Sequence, residues 1–223
     1  MPVHVDVVRV FTDAAGQFGN PLGIVAAEAV AAPDRQALAT QLGFSETVYV
    51  TPGSGSATVQ IFTPAAELPF AGHPTVGVAW WLHSTGTPVQ VLEVPAGRVE
   101  VGRRDGLTTV RARAEWAPEF VFHDLAAPEE VDALDPAAFD DRHHYAWAWS
   151  DEASGTIRSR MFAPDMGIAE DEATGAAAVR ITARLSRDLR IRQGRGSQLV
   201  TAWEPDGWVR LGGRVVADTP IEL

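Results

Sequence analysis

Two residues stand just before apolar stretches that predict buried helices, where a side chain could take part in chemistry. His73 is followed four positions later by Gly77, and Asp171 is followed four positions later by Gly175. The first turn of a helix has unpaired backbone N–H groups and partial positive charge. Two such helix ends facing each other would form a good site for a carboxylate. The alternative is that Asp171 only caps its helix and His73 is a loop residue.

A third candidate, Glu46, lies between Gly43, which is predicted to end a helix, and an apolar strand. A carboxylate at such a junction is either a solvated loop residue or part of a cleft. In a closed cleft, burial would raise the pKa of Glu46 towards neutrality and let it take or give a proton.

The segments around His73 and Asp171 resemble each other, and this predicts an internal repeat. Each begins at the end of a strand with Phe-x-Pro, at 62–64 and 162–164, and continues through an acidic loop into a buried helix. Two copies of one unit predict two pseudo-symmetric lobes with a cleft between them. We place the lobes at 1–113 and 114–223, with 114–120 as the crossover. Periodicity and turn residues predict the helices at 33–42, 74–83, 127–134 and 172–186.

The composition excludes several classes of function. The chain of 223 residues has no cysteine, which excludes disulfides, thiolate metal sites and a cysteine nucleophile. Its net charge of −11 disfavours nucleic acid and anionic membranes as partners. No phosphate loop, dinucleotide fingerprint or nucleophile elbow is present. His143 and His144 are adjacent and would point to opposite faces of a strand, so we expect no metal site there. We expect a cytoplasmic protein without a cofactor.

Four motifs follow one another along the chain. In order they are Phe18-Gly19-Asn20-Pro21, Phe44-Ser45-Glu46-Thr47, Glu67-Leu68-Pro69-Phe70-Ala71-Gly72-His73-Pro74-Thr75 and Glu170-Asp171-x-Ala173-Thr174-Gly175. In these motifs and their spacing, the chain resembles the PhzF-like isomerases of phenazine biosynthesis along nearly its whole length. The resemblance implies the α+β fold of diaminopimelate epimerase, in which two lobes each wrap a sheet around a central helix.

The resemblance also implies roles for single residues. Glu46 matches the catalytic acid/base, and His73 and Asp171 match the residues that flank the substrate from the helix ends. Four further positions match residues near the substrate: Ser45, Gly72, Thr174 and Gly175. The implied activity is the isomerisation of trans-2,3-dihydro-3-hydroxyanthranilate without a cofactor. We expect a small carboxylate substrate and a homodimer.

The chain departs from the family pattern at two positions, one within the last of these motifs and one directly after it. Glu172 and Ala176 stand where proline and serine are common, and the chain is short between about 123 and 144. These departures put the phenazine substrate in question. A lyase or hydrolase that uses Glu46 as a base on an amino-acid-derived substrate is a second hypothesis. A non-catalytic small-molecule binder is a third, although such a binder would not need Glu46, His73 and Asp171 together.

Overall fold

The computed structural model describes residues 2–223, apart from the side chain of Asp165. The first half of the chain contains eight strands and two helices. In chain order these are β1 (His4–Thr12), β2 (Asn20–Ala26), α1 (Arg35–Leu42), β3 (Glu46–Pro52), β4 (Ser56–Phe62), β5 (Glu67–Leu68), α2 (Gly72–Ser84), β6 (Val91–Val94), β7 (Gly97–Arg104) and β8 (Leu107–Arg113).

The second half has the same sequence of elements except at its two ends. In chain order these are β9 (Val121–Asp124), α3 (Pro128–Asp132), β10 (His144–Asp151), β11 (Thr156–Ala163), β12 (Ile168–Asp171), α4 (Gly175–Leu185), β13 (Leu189–Gln193), β14 (Ser197–Trp203), β15 (Trp208–Ala217) and β16 (Ile221–Glu222).

The strand pairing repeats between the halves. In the first half β2–β3 and β4–β6 are parallel, whereas β3–β4, β6–β7 and β7–β8 are antiparallel. In the second half β9–β10 and β11–β13 are parallel, whereas β10–β11, β13–β14 and β14–β15 are antiparallel. Parallel neighbours need a crossover connection, and each of these four crossovers contains one of the four helices.

Strand β15 joins the two halves. It pairs with β14 on one side and β8 on the other, and its end also pairs with β1. The strands therefore form one hydrogen-bonded path rather than two separate sheets. The division into lobes at 113/114 stays a prediction.

Helices α2 and α4 are the buried centres of the structure. Helix α2 is buried from its first residue, Gly72, through Ala79, and it packs against β1, β2, β3, β8 and β15. Helix α4 packs against β14 and β15, and its small side chains at 176–178 are buried. Apolar residues on all sides of a helix are typical of such burial. One large hydrophobic cluster spans both halves around the two helices.

The sequence placed most elements correctly and some wrongly. Both buried helices begin elsewhere than predicted: α2 at Gly72 rather than Pro74, and α4 at Gly175 rather than Glu172. The Gly, Asn and Pro residues at 18–22 predict a turn. Residues 20–22 instead begin β2, while the turn itself lies at Phe18 and Gly19, both of which have positive φ. No helix among residues 2–223 is long and apolar enough to cross a membrane.

Candidate active site

Glu46 and His73 form an ion pair inside the protein. Glu46 is the first residue of β3, which pairs in parallel with β2, and His73 is the second residue of α2. The His73 Nδ1 atom lies 3.2 Å from the Glu46 carboxylate, and the two side chains are only 3% and 16% exposed. Glu46 and His73 are therefore in direct contact.

The pair fixes the charge of both groups. Burial raises the pKa of Glu46, but the charge and hydrogen bond of His73, together with a hydrogen bond from Ser45, lower it below the usual value. Burial lowers the pKa of His73, whereas the charges of Glu46 and Asp171 raise it by more. The expectation that burial would raise the pKa of Glu46 is thus wrong, because an imidazolium lies beside it.

Asp171 is the last residue of β12, and each of its carboxylate oxygens accepts a hydrogen bond. Asn20 Nδ2 donates to one oxygen at 2.7 Å, and the Thr174 hydroxyl donates to the other at 2.5 Å. Burial, followed by the charge of Glu46, raises the pKa of Asp171 to about 6, against the opposing effects of Thr174, His73 and Asn20. A carboxyl group with this pKa can exchange protons near neutral pH.

Two further polar residues position this carboxyl group. The Ser45 hydroxyl donates to Asn20 Oδ1 at 3.3 Å, so Asn20 links Ser45 to Asp171. Gln193 Nε2 donates to the Thr174 hydroxyl at 2.9 Å and to the Asp171 carbonyl at 3.0 Å. Sequence analysis did not assign Asn20 or Gln193 to the site. The sequence signal that could have identified them is a polar side chain at a strand position that must face the core, because Asn20 and Gln193 are both buried.

The N-terminal ends of α2 and α4 meet at two glycines. A Cβ atom on Gly72 would lie 2.6 Å from the carbonyl carbon of Gly175, and a Cβ on Gly175 would lie 2.7 Å from the backbone N of His73. Neither Ala71 nor Thr174, the residues before the helices, makes a capping hydrogen bond with its side chain. First-turn N–H groups without intrahelical partners are therefore brought together from both helices.

The structure corrects the register of the internal repeat. Sequence analysis paired Gly77 with Gly175, and hence His73 with Asp171. In the structure the equivalent positions are Gly72 and Gly175, the first residues of the two helices. His73 lies inside the first turn of its helix, whereas Asp171 lies four residues before α4.

A cavity of about 210 Å³ opens beside these residues. Ser45, Glu46, Asp171 and Thr174 line one part of it. Gly72, His73 and Gly175 are not among the residues that line the cavity; they lie where α2 and α4 begin and meet. Most of the remaining lining is apolar, and its larger side chains are Phe70, Trp116, Phe120, Met161, Met166 and Ile168.

His143 also lines the cavity. It directly precedes β10, and its ring lies 5.8 Å from that of Phe120, tilted by 45°. Its neighbour His144 is on the other face of the strand, as expected, where it contacts His123 and Asp140.

The two departures from the family motifs have different consequences. Glu172 accepts hydrogen bonds from the Ser197 hydroxyl at 2.8 Å and from the backbone N of Arg195 at 3.2 Å. It therefore holds the turn between β13 and β14 and does not enter the cavity. Ala176 lines the cavity with a methyl group and offers no hydrogen bond.

The described residues offer no evident metal site. Within residues 2–223, no group of three His, Asp or Glu side chains has the arrangement that a metal ion would need. The chemistry that this chain's own residues can supply is proton transfer by Glu46 and Asp171, with His73 as a buried cation.

Comparison with known proteins identifies relatives along most of the chain. The trans-2,3-dihydro-3-hydroxyanthranilate isomerase of Pseudomonas chlororaphis is 29% identical over 240 residues, which cover 90% of this chain and 86% of the relative. The enzyme of the same name from Pseudomonas fluorescens is 28% identical over 225 residues, covering 83% of this chain and 81% of the relative.

Solved structures share the fold. A PhzF-family phenazine biosynthesis protein from Bacillus anthracis superposes with a TM-score of 0.83 at 19% identity, covering 100% of this chain and 99% of that one. A hydroxyproline epimerase from Agrobacterium vitis, solved with bound trans-4-hydroxy-L-proline, superposes with a TM-score of 0.65 at 13% identity and covers 100% of this chain and 92% of that one.

A family described as phenazine biosynthesis-like protein matches residues 8–117 and 107–204. These two stretches contain Glu46, His73 and Asp171, as well as the two glycines where the helices meet. The chain therefore belongs to the PhzF family of isomerases.

Proposed function

We propose that this chain is a cofactor-independent isomerase that moves a proton between two carbon atoms of a small carboxylate substrate. The observation that carries the proposal is the position of Glu46. Its carboxylate lines an apolar cavity and is held 3.2 Å from the His73 ring, beside the N-terminal ends of two helices. An ionised carboxylate at this place can act as a base on a substrate that the helix ends hold.

Substrate binding uses the helix ends in this proposal. The N–H groups of the first turns, at 72–73 and 175–176, donate hydrogen bonds to the substrate carboxylate, and their partial positive charge offsets its negative charge. The cavity would lie between two lobes, at 1–113 and 114–223, each built around one of the two helices. The repeated strand pairing supports this arrangement.

Proton transfer then proceeds in two steps. Glu46 takes a proton from a carbon atom next to a conjugated system, and the electron pair of the broken C–H bond enters that system. The protonated Glu46 returns the proton to a second carbon of the same system, and the double bond moves between them. The His73 cation holds Glu46 ionised before the first step, and the helix ends stabilise the negative charge that develops on the substrate.

Asp171 acts beside this pair as a second proton-exchanging group. Its pKa of about 6 means that it carries a proton for part of the time near neutral pH. When protonated, it can donate a hydrogen bond to the substrate, which an ionised carboxylate cannot do. The relatives' names suggest trans-2,3-dihydro-3-hydroxyanthranilate as the substrate to test.

The test measures, in D₂O, the turnover of this compound by the wild type and by Glu46→Gln. Glutamine keeps the size of the side chain but cannot accept the proton, so turnover should fall about 10²–10⁴-fold while binding survives. Glu93→Gln is the matched control, because Glu93 lies on β6 outside the cavity. Near-normal turnover of Glu46→Gln would remove Glu46 from the mechanism. An inactive wild type would instead reject this compound as the substrate.

A further inference from the structure

We infer that the protein has a second binding site, for a phosphate group, in an open cavity on the outer face of the sheet. We call it the arginine cavity. It measures about 350 Å³, and its charged lining residues are Arg158, Arg160, Arg192, Arg195, Asp132 and Glu170. Among the described residues, this cavity and the one beside Glu46 share no lining residue. The inference therefore does not depend on the proposed function.

The strand pairing places three of these arginines on one face of the sheet. Arg158 and Arg160 alternate with buried residues along β11, and Arg192 lies between two buried residues on β13. The two strands are parallel neighbours, and Arg158 is directly opposite Arg192. Neighbouring strands are only about 4.8 Å apart, and like charges directly opposite each other are destabilising. An anion bound between the two guanidinium groups would offset this repulsion.

The two arginines of β11 are held in place by the protein itself. Arg160 donates two hydrogen bonds to the Glu170 carboxylate, at 2.8 and 2.7 Å, and Arg158 Nε donates to Asp132 at 2.7 Å. The Arg160 and Arg158 side chains are only 11% and 12% exposed. These contacts fix the base of the cavity before a ligand binds, which lowers the entropy lost on binding.

The two outer arginines have hydrogen-bond donors to spare. Among the described residues, the guanidinium of Arg192 has no hydrogen-bond or ion-pair partner, and Arg192 is exposed. The Arg195 side chain uses only its Nε atom, 3.1 Å from the Glu172 carboxylate, and it is 75% exposed. The Nη2 atom of Arg158 also lacks a partner in the described part of the chain. A guanidinium has N–H donors on each of its nitrogens, so these three arginines can donate several hydrogen bonds to one ligand.

The charge of the arginine cavity favours an anion. Its lining has four guanidinium groups but only two carboxylates, in a chain whose net charge is −11. Glu172, which is outside the lining, pairs with Arg195 and offsets one further positive charge. The charge of Arg192 is therefore in excess. A cleft with an excess of one charge raises the local concentration of small ions of the opposite charge.

A phosphate group fits this arrangement better than a carboxylate does. Guanidinium groups bind phosphate through pairs of parallel hydrogen bonds, and a phosphate group has more acceptor oxygens than a carboxylate. It can therefore accept from Arg158, Arg192 and Arg195 together. Inorganic phosphate and a phosphate monoester both present this group, and the open cavity leaves room for the rest of a monoester.

The experiment is an NMR titration of the nitrogen-15-labelled protein at pH 7 and constant ionic strength. Sodium phosphate is the main probe, and sodium acetate and sodium chloride are the comparisons. We expect phosphate to shift the backbone amide signals of 158–160 and 192–195 in a saturable way. We expect acetate to bind there about fivefold or more weakly, and chloride to cause no saturable shift.

Glycerol 3-phosphate distinguishes the two sources of the phosphate group. A site for monoesters should bind it at least as tightly as inorganic phosphate, whereas a site for the free ion should bind it more weakly. The position of the shifted signals distinguishes the arginine cavity from the helix ends, which can also bind an anion. Binding at the helix ends would shift the amide signals of 72–73 and 175–176 instead.

Variants assign the binding to residues. Arg192→Gln and Arg195→Gln should each weaken phosphate binding at the arginine cavity about fivefold or more, because each removes charge-assisted hydrogen bonds. Circular dichroism would check that both variants fold. Arg98→Gln is the matched control and should leave phosphate binding unchanged. It also removes one arginine charge, but from an exposed ion pair with Glu93 outside the cavity.

The outcomes that would overturn the inference are specific to this cavity. Phosphate that causes no saturable shift at 192–195, or an affinity that either folded variant leaves unchanged, would overturn the site. Acetate that binds as tightly as phosphate would overturn the assignment of a phosphate group. None of these measurements needs turnover, and the isomerase proposal is tested separately by the activity of Glu46→Gln.

Discussion

The Nδ1 atom of His73 lies 3.2 Å from the carboxylate of Glu46, and both side chains are almost completely removed from solvent. A buried carboxylate without a partner would take up a proton, because burial disfavours its charged form. The His73 cation reverses this effect, and the pKa of Glu46 is lowered overall. The base of the proposed reaction is therefore ionised by its neighbour before a substrate arrives.

The first prediction removes this neighbour. In His73→Asn the amide can still donate a hydrogen bond but carries no charge, so burial dominates and the pKa of Glu46 should rise above its value in the wild type. Carbon-13 NMR of labelled glutamate, assigned with Glu46→Gln, would measure the pKa directly. The turnover of His73→Asn should also increase with pH through this raised value, since only ionised Glu46 takes a proton.

The control for this prediction is His4→Asn. His4 is exposed and pairs with Asp6 and Glu222, far from the cavity. Its replacement should leave the pKa of Glu46 unchanged. A Glu46 pKa that is the same in wild type and His73→Asn would mean that the ion pair does not set the ionisation of the base.

The second prediction concerns Asp171 and the dependence of stability on pH. The pKa of Asp171 is raised to about 6 in the folded protein, above its ordinary value of 3.8. Between these two values the folded state holds a proton that the unfolded state has lost, so this group destabilises the fold progressively as the pH rises from about 4 to about 6. The amide introduced by Asp171→Asn cannot ionise, so the variant does not lose stability in this way as the pH rises.

The measurement is the difference in the free energy of unfolding between Asp171→Asn and wild type. This difference should shift in favour of the variant as the pH rises from about 4 to about 6 and then level off. Urea titrations at pH 4, 5, 6 and 7 would measure it. The loss or rearrangement of hydrogen bonds from Asn20 and Thr174 adds an offset that does not depend on pH. A difference that is constant over this range would mean that the pKa of Asp171 is not raised.

Local sequence signals predicted much of the fold. The sequence predicts strands at 107–113, 189–193 and 197–203, and these are the bounds of β8, β13 and β14. Gly43 ends α1 in the left-handed conformation that favours glycine. The short strands β5, β12 and β16 were missed. Each has only two to four residues, which is too short for an alternating pattern to appear. Strands β5 and β12 pair with the strand that precedes them, whereas β16 pairs with β1 at the other end of the chain.

The sequence resemblance named residues of the candidate site, but the sequence did not give the direction in which the pKa of Glu46 is shifted. Motif resemblance supplied Glu46, His73 and Asp171, and Ser45 and Thr174 line the cavity beside Glu46 and Asp171. The direction of the Glu46 pKa was wrong, because it depends on a contact with His73, which lies 27 positions later in the chain. His143 and Trp116 reach the cavity through the pairing of β9 with β10 and through the crossover, and no local pattern reveals either contact.

The third prediction tests the contact between the two helix ends. Gly72→Ala would place a Cβ atom 2.6 Å from the backbone of Gly175, where neither helix can move without disturbing the core. Such overpacking should lower the free energy of unfolding by about 1–3 kcal/mol. Gly102→Ala is the control, since its Cβ would approach only the Thr109 hydroxyl, at 3.0 Å, and the end of Arg210. If Gly72→Ala and Gly102→Ala change the free energy of unfolding equally, the two helix ends can move apart without an additional loss of stability.

The fourth prediction concerns Glu172, at which this chain departs from its family. Its carboxylate accepts hydrogen bonds from the Ser197 hydroxyl and the backbone N of Arg195, and the same hydroxyl accepts one from the backbone N of Gly19. The side chain therefore links the turn between β13 and β14 to the turn before β2. Glu172→Ala leaves these donors without a partner and should lower the free energy of unfolding by about 1–3 kcal/mol.

Glu93→Ala is the matched control for Glu172, because it also removes one glutamate from an ion pair. The pair of Glu93 with Arg98 is exposed, with the two side chains 37% and 71% accessible, and such pairs contribute about 0–1 kcal/mol. Urea denaturation of both variants at pH 7 would measure the difference in their free energies of unfolding. High salt should not remove the destabilisation of Glu172→Ala, since the Glu172 side chain is only 14% exposed. If Glu172→Ala is no less stable than Glu93→Ala, Glu172 does not hold the turn.

Because Glu172 lies next to Asp171, turnover of Glu172→Ala should decrease only as far as the loosened turn displaces the Asp171 carboxyl group. The pKa of Asp171 in the variant would report this displacement.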